Sequence, residues 1–141
     1  MSDGEALDAI PYFSALTADE RSRAAAMARR KQVQADQVLF MEGEPCAGLF
    51  VVISGVVKLY KISPDGKEQV LRHMAVGESF NEVPVFDGGA NPVSAMVVES
   101  GEVLILSRER VIELLREYPA FAAAVVQLLA SRLRHLVMLV E

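Results

Sequence analysis

Between residues 31 and 107, six glycines (Gly43, Gly55, Gly66, Gly77, Gly88 and Gly101) recur every eleven to thirteen residues. The segments between them are rich in Val, Ile, Leu and Phe. Short β-branched runs punctuated at that interval predict an all-β barrel or sandwich. The candidate strands are 38–41, 49–54, 56–62, 69–74, 94–98 and 103–106. Ser63-Pro64-Asp65-Gly66 predicts a hairpin turn, because Pro presets one dihedral and Gly accepts the left-handed one. Glu99-Ser100-Gly101 predicts a second turn, and Gly55, between two apolar runs, a sharp corner.

Helices are expected on both flanks. Residues 1–7 read as a frayed tail. Thr17-Ala18-Asp19-Glu20 has the form of a capping box, which predicts a helix over 18–30 with Ala25, Met27 and Ala28 on its apolar side. Arg29-Arg30-Lys31 would then sit at its C-terminal end, where the helix dipole favours cations. Ser107 reads as the N-cap of a helix running to Tyr118 and stopped by Pro119. A longer helix is expected over 120–141. On it Ala122, Val126, Leu129, Leu133, Leu136 and Val140 are spaced 4, 3, 4, 3, 4, a heptad seam suited to a parallel partner helix. A second stripe, Phe121, Val125 and Leu128, is free to pack on the barrel. A helix apolar on two sides favours a homodimer.

Composition narrows the function. The chain has 141 residues, enough for one domain with a buried core. Fourteen Lys plus Arg against nineteen Asp plus Glu give a net charge of -5, which argues against direct nucleic-acid binding by this domain. The single cysteine, Cys46, excludes an internal disulfide and any Cys-rich metal site within one chain, and fits a reduced thiol in the cytoplasm. The acidic, polar N-terminus does not read as a signal peptide. No apolar run reads as long and charge-free enough to span a bilayer, so no membrane partner is expected.

Residues 77–95 form the feature around which the rest is arranged. The stretch starts where one strand ends and stops where another begins, and Gly, Pro and Asn interrupt its apolar middle. The part between Ser79 and Phe86 predicts one short turn of helix, whose free N–H groups would suit a phosphate or carboxylate. Ser79, Asn81 and Ser94 add polar side chains, but no Lys or Arg lies inside the loop. A barrel corner that binds nothing is the alternative.

Four segments in order carry a resemblance: Val38-Leu39-Phe40-Met41-Glu42-Gly43-Glu44, residues 49–60, Asp65-Gly66-Lys67-Glu68, and Gly77-Glu78. Together they resemble a cyclic-nucleotide-binding, cupin-like jelly-roll domain, and more narrowly the sensor half of bacterial Crp/Fnr transcription regulators, over almost the whole chain. The resemblance implies a double-stranded β-helix (jelly-roll) barrel, mainly β with flanking helices, followed by a long dimerisation helix. It divides the chain into a helical segment (1–30), a barrel sensor core (31–107) and C-terminal helices (108–141). It makes 77–95 the phosphate-binding cassette, with Gly77, Glu78, Ser79, Phe80, Asn81, Glu82, Val93, Ser94 and Ala95 as ligand-facing candidates. Arg132, His135 and Leu136 are the candidates on the helix side.

The resemblance also exposes departures. Cyclic AMP sensors close the cassette with Arg-Ser-Ala or Arg-Thr-Ala, the arginine meeting the phosphate. Here the residues are Val93-Ser94-Ala95, and the charge-assisted contact is lost. Glu78 matches the family acid that holds the ribose. The family's Thr-Ser pair on the long helix is replaced by Leu136-Val137. Tight binding of cyclic AMP is therefore not expected.

Other chemistry is thinly represented. His73 and His135 are the only histidines, with no His-x-His or His-x-x-x-His pair. No nucleophile elbow or catalytic triad is legible, so the chain does not read as an enzyme. Some relatives in the resembling family sense gases through haem, for which His73, His135, Cys46 or a methionine are the candidate ligands.

The reading is a cytoplasmic sensor domain that couples an unidentified small-molecule effector to the geometry of a homodimer helix. DNA is engaged only through a C-terminal winged helix-turn-helix absent from this chain. Transmission is expected through Phe80, Val93 and Ser94 on the barrel and Arg132, His135 and Leu136 on the helix. A ligand-free dimerisation scaffold and a haem-based sensor are the alternatives.

Overall fold

The computed structural model describes residues 3–140. Helices α1 (Asp3–Asp8) and α2 (Ala18–Ala26) precede strands β1 (Arg29–Val33), β2 (Val38–Phe40), β3 (Leu49–Ile62), β4 (Glu68–Met74) and β5 (Ser79–Phe80). The short helix α3 (Glu82–Asp87), strand β6 (Ser94–Leu106) and helices α4 (Arg108–Glu117) and α5 (Pro119–Met138) follow. All six strands pair antiparallel in one sheet of order β1-β6-β3-β4, with β2 added to β6 and β5 to β3. The mainly-β fold with flanking helices is the expected one.

Side-chain alternation along the two long strands builds two cores. On β3, Leu49, Val51 and Ile53 join the helices in an outer core, while Phe50 and Val52 point the other way, into an inner one. On β6, Leu104 and Leu106 face the helices, and Val103 and Ile105 the interior. The inner core draws on every strand, from Val33 of β1 to Ala95 of β6, so the sheet wraps around it as a barrel. Phe40, Phe50 and Phe80 fill the centre, with the Phe50 and Phe80 rings stacked 5.1 Å apart. Outside, Tyr12, Phe13 and Phe121 make a second aromatic cluster that fastens α5 to the barrel. Full burial of a side chain such as Phe121 contributes on the order of 1.5–3 kcal/mol.

Gly55 and Gly101 do not end strands. Residues 49–62 are one strand and 94–106 another, paired from Leu49↔Leu106 to Tyr60↔Ser94, with the register shifting between Val52 and Val57. The inward positions on β3 accordingly change from Phe50 and Val52 to Val57 and Leu59, a slip of one residue that turns the opposite face inward. The two glycines meet at this bulge. Gly55 has φ +86°, and a Cβ there would lie 2.5 Å from the Glu99 carbonyl oxygen; a Cβ on Gly101 would overlap the Ser54 carbonyl. Neither glycine thus marks the corner or turn expected, whereas Ser63-Pro64-Asp65-Gly66 does close the β3–β4 hairpin, with Gly66 N–H donating to Ser63 O at 2.8 Å.

The N-terminal expectations need two corrections. Residues 3–8 are helical rather than frayed, because Ala6 and Leu7 are fully buried under the outer core. The capping box of Thr17 and Glu20 is present, but the helix ends at Ala26 and not at residue 30. Arg29–Val33 instead pairs with β6, where Arg30 bonds Glu102 and Asp3 at 2.5 Å each, so the basic cluster decorates a strand and caps no helix.

At the other end Ser107 caps α4, accepting from Arg110 N–H at 3.3 Å, and Pro119 opens α5. Phe121 and Val125 are buried and Leu128 packs partly against the outer core, as the second stripe predicted. Of the seam, Ala122 and Leu129 are half-buried, Val126, Leu133 and Leu136 are exposed, and Val140 lies just past the helix end. Residue 141 is outside the described residues. The bilayer expectation is also corrected: by length and composition alone α5, with mean hydropathy 1.3, suffices to cross a membrane. Its first half is nonetheless committed to the barrel, and Arg132 and Arg134 lie in its second.

Candidate functional site

The cassette is shaped by two asparagines. Asn81 follows β5 in the left-handed conformation (φ +74°), which Asn tolerates better than most residues, and turns the chain into α3. Its Nδ2 donates to Gly48 O at 2.9 Å and to Asn91 Oδ1 at 3.2 Å. Asn91, only 2% exposed, is the hub beneath the loop. Its Oδ1 also accepts from Ala47 N–H at 3.2 Å, and its Nδ2 donates to Met41 O and Pro45 O at 3.2 and 3.3 Å. One carboxamide thus ties the cassette to the loop between β2 and β3. The short turn of helix expected between Ser79 and Phe86 is α3, entered from Asn81 as its N-cap residue.

Glu82, at the first turn of α3, is 6% exposed. A carboxylate so placed needs donors, and it has two. Ser79 Oγ donates to its Oε2 at 2.6 Å and Tyr12 OH at 3.0 Å, the phenol also lying 3.2 Å from Ser79 Oγ. Burial first, and then the adjacent Glu82 charge, push the Tyr12 phenol well above its ordinary value, against the opposing pull of Ser79 and Arg132. The phenol is therefore a protonated donor across the physiological range.

These elements wall a cavity of about 190 Å³. The cassette contributes Ser79, Phe80, Asn81, Glu82, Val83, Pro92 and Val93; β3 and β4 contribute Leu59, Arg72 and Met74; α5 contributes Arg132. A second cleft of about 470 Å³ shares Arg72 and Arg132 and is completed by Ser131, His135 and Leu136.

The candidates named from sequence therefore divide. Ser79, Phe80, Asn81, Glu82, Val93 and Arg132 line the inner cavity, and His135 and Leu136 the outer cleft. Gly77, Glu78, Ser94 and Ala95 line neither. Gly77 N–H and Glu78 O bond to Val52 across the barrel wall. The Glu78 carboxylate accepts from Arg72 at 2.8 Å and from Ala75 N–H at 3.0 Å. The carboxylate that lines the inner cavity is Glu82, while that of Glu78 is engaged by Arg72, itself a wall residue. Ser94 is buried with its hydroxyl accepting from Glu42 N–H at 2.9 Å, and Ala95 is buried in β6. His73, exposed on β4, lines neither space. No group of three or more metal-ligating side chains occurs among the described residues.

Sequence reasoning missed Arg72, Tyr12 and Asn91. Arg72 lies on a strand exposed at every position from Glu68 to His73, where no alternation marks a face. Tyr12 is separated by 70 residues from Glu82. Asn91 follows Gly88-Gly89-Ala90 and reads as an ordinary loop residue.

An antiparallel barrel whose 77–95 loop and C-terminal helix wall one cavity has the architecture of a small-molecule-binding domain. The sequence profile of the cyclic nucleotide-binding domain matches residues 30–118, and the chain belongs to that family. It is 34% identical over 124 residues to the cyclic AMP receptor protein of Thermus thermophilus, a match covering 88% of this chain and 57% of that protein. The crystal structure of the Thermus thermophilus catabolite activator protein superposes with a TM-score of 0.79 at 32% identity, over 91% of this chain and 60% of that one. The N-terminal domain of a transcriptional regulator from Streptomyces coelicolor gives 0.81 at 29% identity, over 96% and 95% of the two chains. The chain spans about half the length of the curated relatives it matches.

Proposed function

We propose that this chain is the effector-binding sensor of a CRP-like transcription regulator, working in the cytoplasm as a homodimer. A small molecule bound in the 190 Å³ cavity would bias the packing of α5 against its partner copy, and with it DNA binding by a domain beyond residue 141. The observation that carries this reading is the composition of the cavity wall. One space is closed by the cassette, by β4 and by Arg132 of α5, so its occupant touches both the barrel and the helix whose seam is exposed.

Cyclic AMP would not be held tightly there. The inner cavity alone falls below the roughly 300 Å³ at the lower end of pockets for drug-sized ligands, and a nucleotide would extend into the adjoining cleft that shares Arg72 and Arg132. Val93 also leaves the cassette side of the wall without a cation.

The dimer is tested by sedimentation equilibrium on the chain and on Leu133→Asp. Leu133 is 63% exposed, so the substitution should leave the fold and its circular dichroism intact. A dimer that becomes monomeric in the variant supports the reading; a wild-type monomer at all concentrations, or a dimer indifferent to the charge, overturns it.

A further inference from the structure

The cavity has an unusual charge arrangement for a wall without a cassette arginine. From Ser79 to Ser94 the chain carries no Lys or Arg. Two arginines nevertheless line the space from the other side: Arg72 from β4 and Arg132 from α5, which border both the inner cavity and the outer cleft. Arg132 makes no hydrogen bond or ion pair among the described residues. Arg72 has a single carboxylate partner, Glu78 at 2.8 Å, with side chains 62% and 37% exposed. An exposed pair of that kind is worth little and is readily exchanged for a better one.

Glu82, the one carboxylate on the wall, accepts on Oε2 from two hydroxyls, so a ligand meets two arginines against one carboxylate charge. What remains to face a ligand is apolar: Leu59, Met74, Phe80, Val83 and Val93.

We infer that the effector is a small organic acid, its carboxylate held between Arg72 and Arg132 and its apolar body on Phe80 and Val93. The charge contact has moved from the cassette to the opposite wall. This rests on the sensor reading and adds the ligand class to it. It also adds a mechanical consequence. Residues 130–140 are exposed throughout, so the second half of α5 has little hold on the barrel. An anion shared by Arg72 and Arg132 ties that half to β4, because it neutralises two like charges that otherwise face one space.

The test is calorimetric titration of the chain with benzoate, phenylacetate and hexanoate, beside their uncharged amides and cyclic AMP, at low and high salt. At least one acid should bind at millimolar concentration or below, its amide about tenfold or more weakly, since a charge-assisted contact is lost. Arg72→Gln and Arg132→Gln should each weaken the acid about tenfold while leaving the ligand-free thermal midpoint unchanged, both side chains being largely solvent-facing.

Equal binding of acid and amide, full affinity in both glutamine variants, or no binding by any acid overturns the inference. Cyclic AMP bound equally by wild type and both variants would also overturn it while leaving the sensor reading intact. Conversely, acid binding through the arginines with no change in the dimerisation constant would sustain the ligand class and defeat the coupling to α5.

Discussion

Replacing Asn91 with alanine should loosen the cassette by an amount that can be worked out contact by contact. The side chain makes four hydrogen bonds: to Ala47 N–H, Asn81 Nδ2, Met41 O and Pro45 O. These are not equal losses. Met41 and Pro45 are exposed residues, so their carbonyls can turn to water at small cost. Asn81 keeps its bond to Gly48 O and loses half of its anchoring. Ala47 is half-buried, and its N–H is left dry. With about 1–3 kcal/mol for an unsatisfied buried group and about 0.5–1.5 for an ordinary bond, the expected loss is about 2–3 kcal/mol. The backbone bonds Gly43 N–H to Asn91 O and Asn91 N–H to Glu44 O survive, which limits the damage to the loop.

For a chain of this size that corresponds to a fall in the thermal midpoint of about 8–12 °C. The assay is urea unfolding followed by circular dichroism at fixed protein concentration, since dimerisation makes apparent stability concentration-dependent. The midpoint should drop with the slope unchanged. Asn91→Asp is the companion variant. It keeps the acceptors for Ala47 and Asn81 but sets a carboxylate oxygen against two carbonyls, and should be at least as damaging. A loss below about 0.5 kcal/mol for Asn91→Ala, within the range of ordinary surface changes, would refute the view that this amide organises the site.

Two further outcomes follow from the same site. Val93→Arg should tighten cyclic AMP binding about tenfold or more by restoring a charge-assisted contact to the phosphate, measured by fluorescence titration; no gain would mean the cavity excludes the nucleotide for reasons of shape alone. Tyr12→Phe should alter the alkaline limb of stability. The folded phenol is held above its ordinary value, so its contribution is fully present below about pH 10 and is lost as pH rises through the folded value. The variant should lack that part of the decline, and identical urea midpoint-against-pH curves for the two proteins would contradict the buried Tyr12–Glu82 bond.

Much of the fold was legible because its signals are local. Thr17 and Glu20 satisfy each other across one helical turn, Ser107 and Pro119 bracket helices by backbone chemistry, and Ser63-Pro64-Asp65-Gly66 turns wherever it is placed. The failures share a different cause. Arg29–Val33 is a strand only because β6 lies beside it; four of its five residues are exposed, so no apolar alternation marks it. Gly55 and Gly101 look like turns from either segment alone, and their role as the closest approach of two continuous strands exists only after those strands meet. The same division runs through the site. The cassette wall, contiguous in sequence, could be named from it. The opposite wall, Arg72 and Arg132, is brought together by topology from positions 60 residues apart in number and carries no joint signal.

That split has a consequence for how the domain works as a switch. Moving a two-state equilibrium from 1:99 to 99:1 requires a ligand to prefer one state by about 5.5 kcal/mol. Two charge-assisted contacts supply about 1.5–3 kcal/mol each, and the exposure of Arg72 places the pair toward the lower end, about 3–4 kcal/mol together. The remaining ~2 kcal/mol corresponds to burying about 80 Å² of apolar ligand surface against Phe80, Val93 and their neighbours. Neither term suffices alone. An acid with no apolar body would supply only the charge contacts, and an apolar molecule with no charge would touch Arg132 without a charge-assisted bond, so each alone falls short of that preference. On the proposed reading the domain answers to the combination, because the two features lie on walls that only the correct ligand joins.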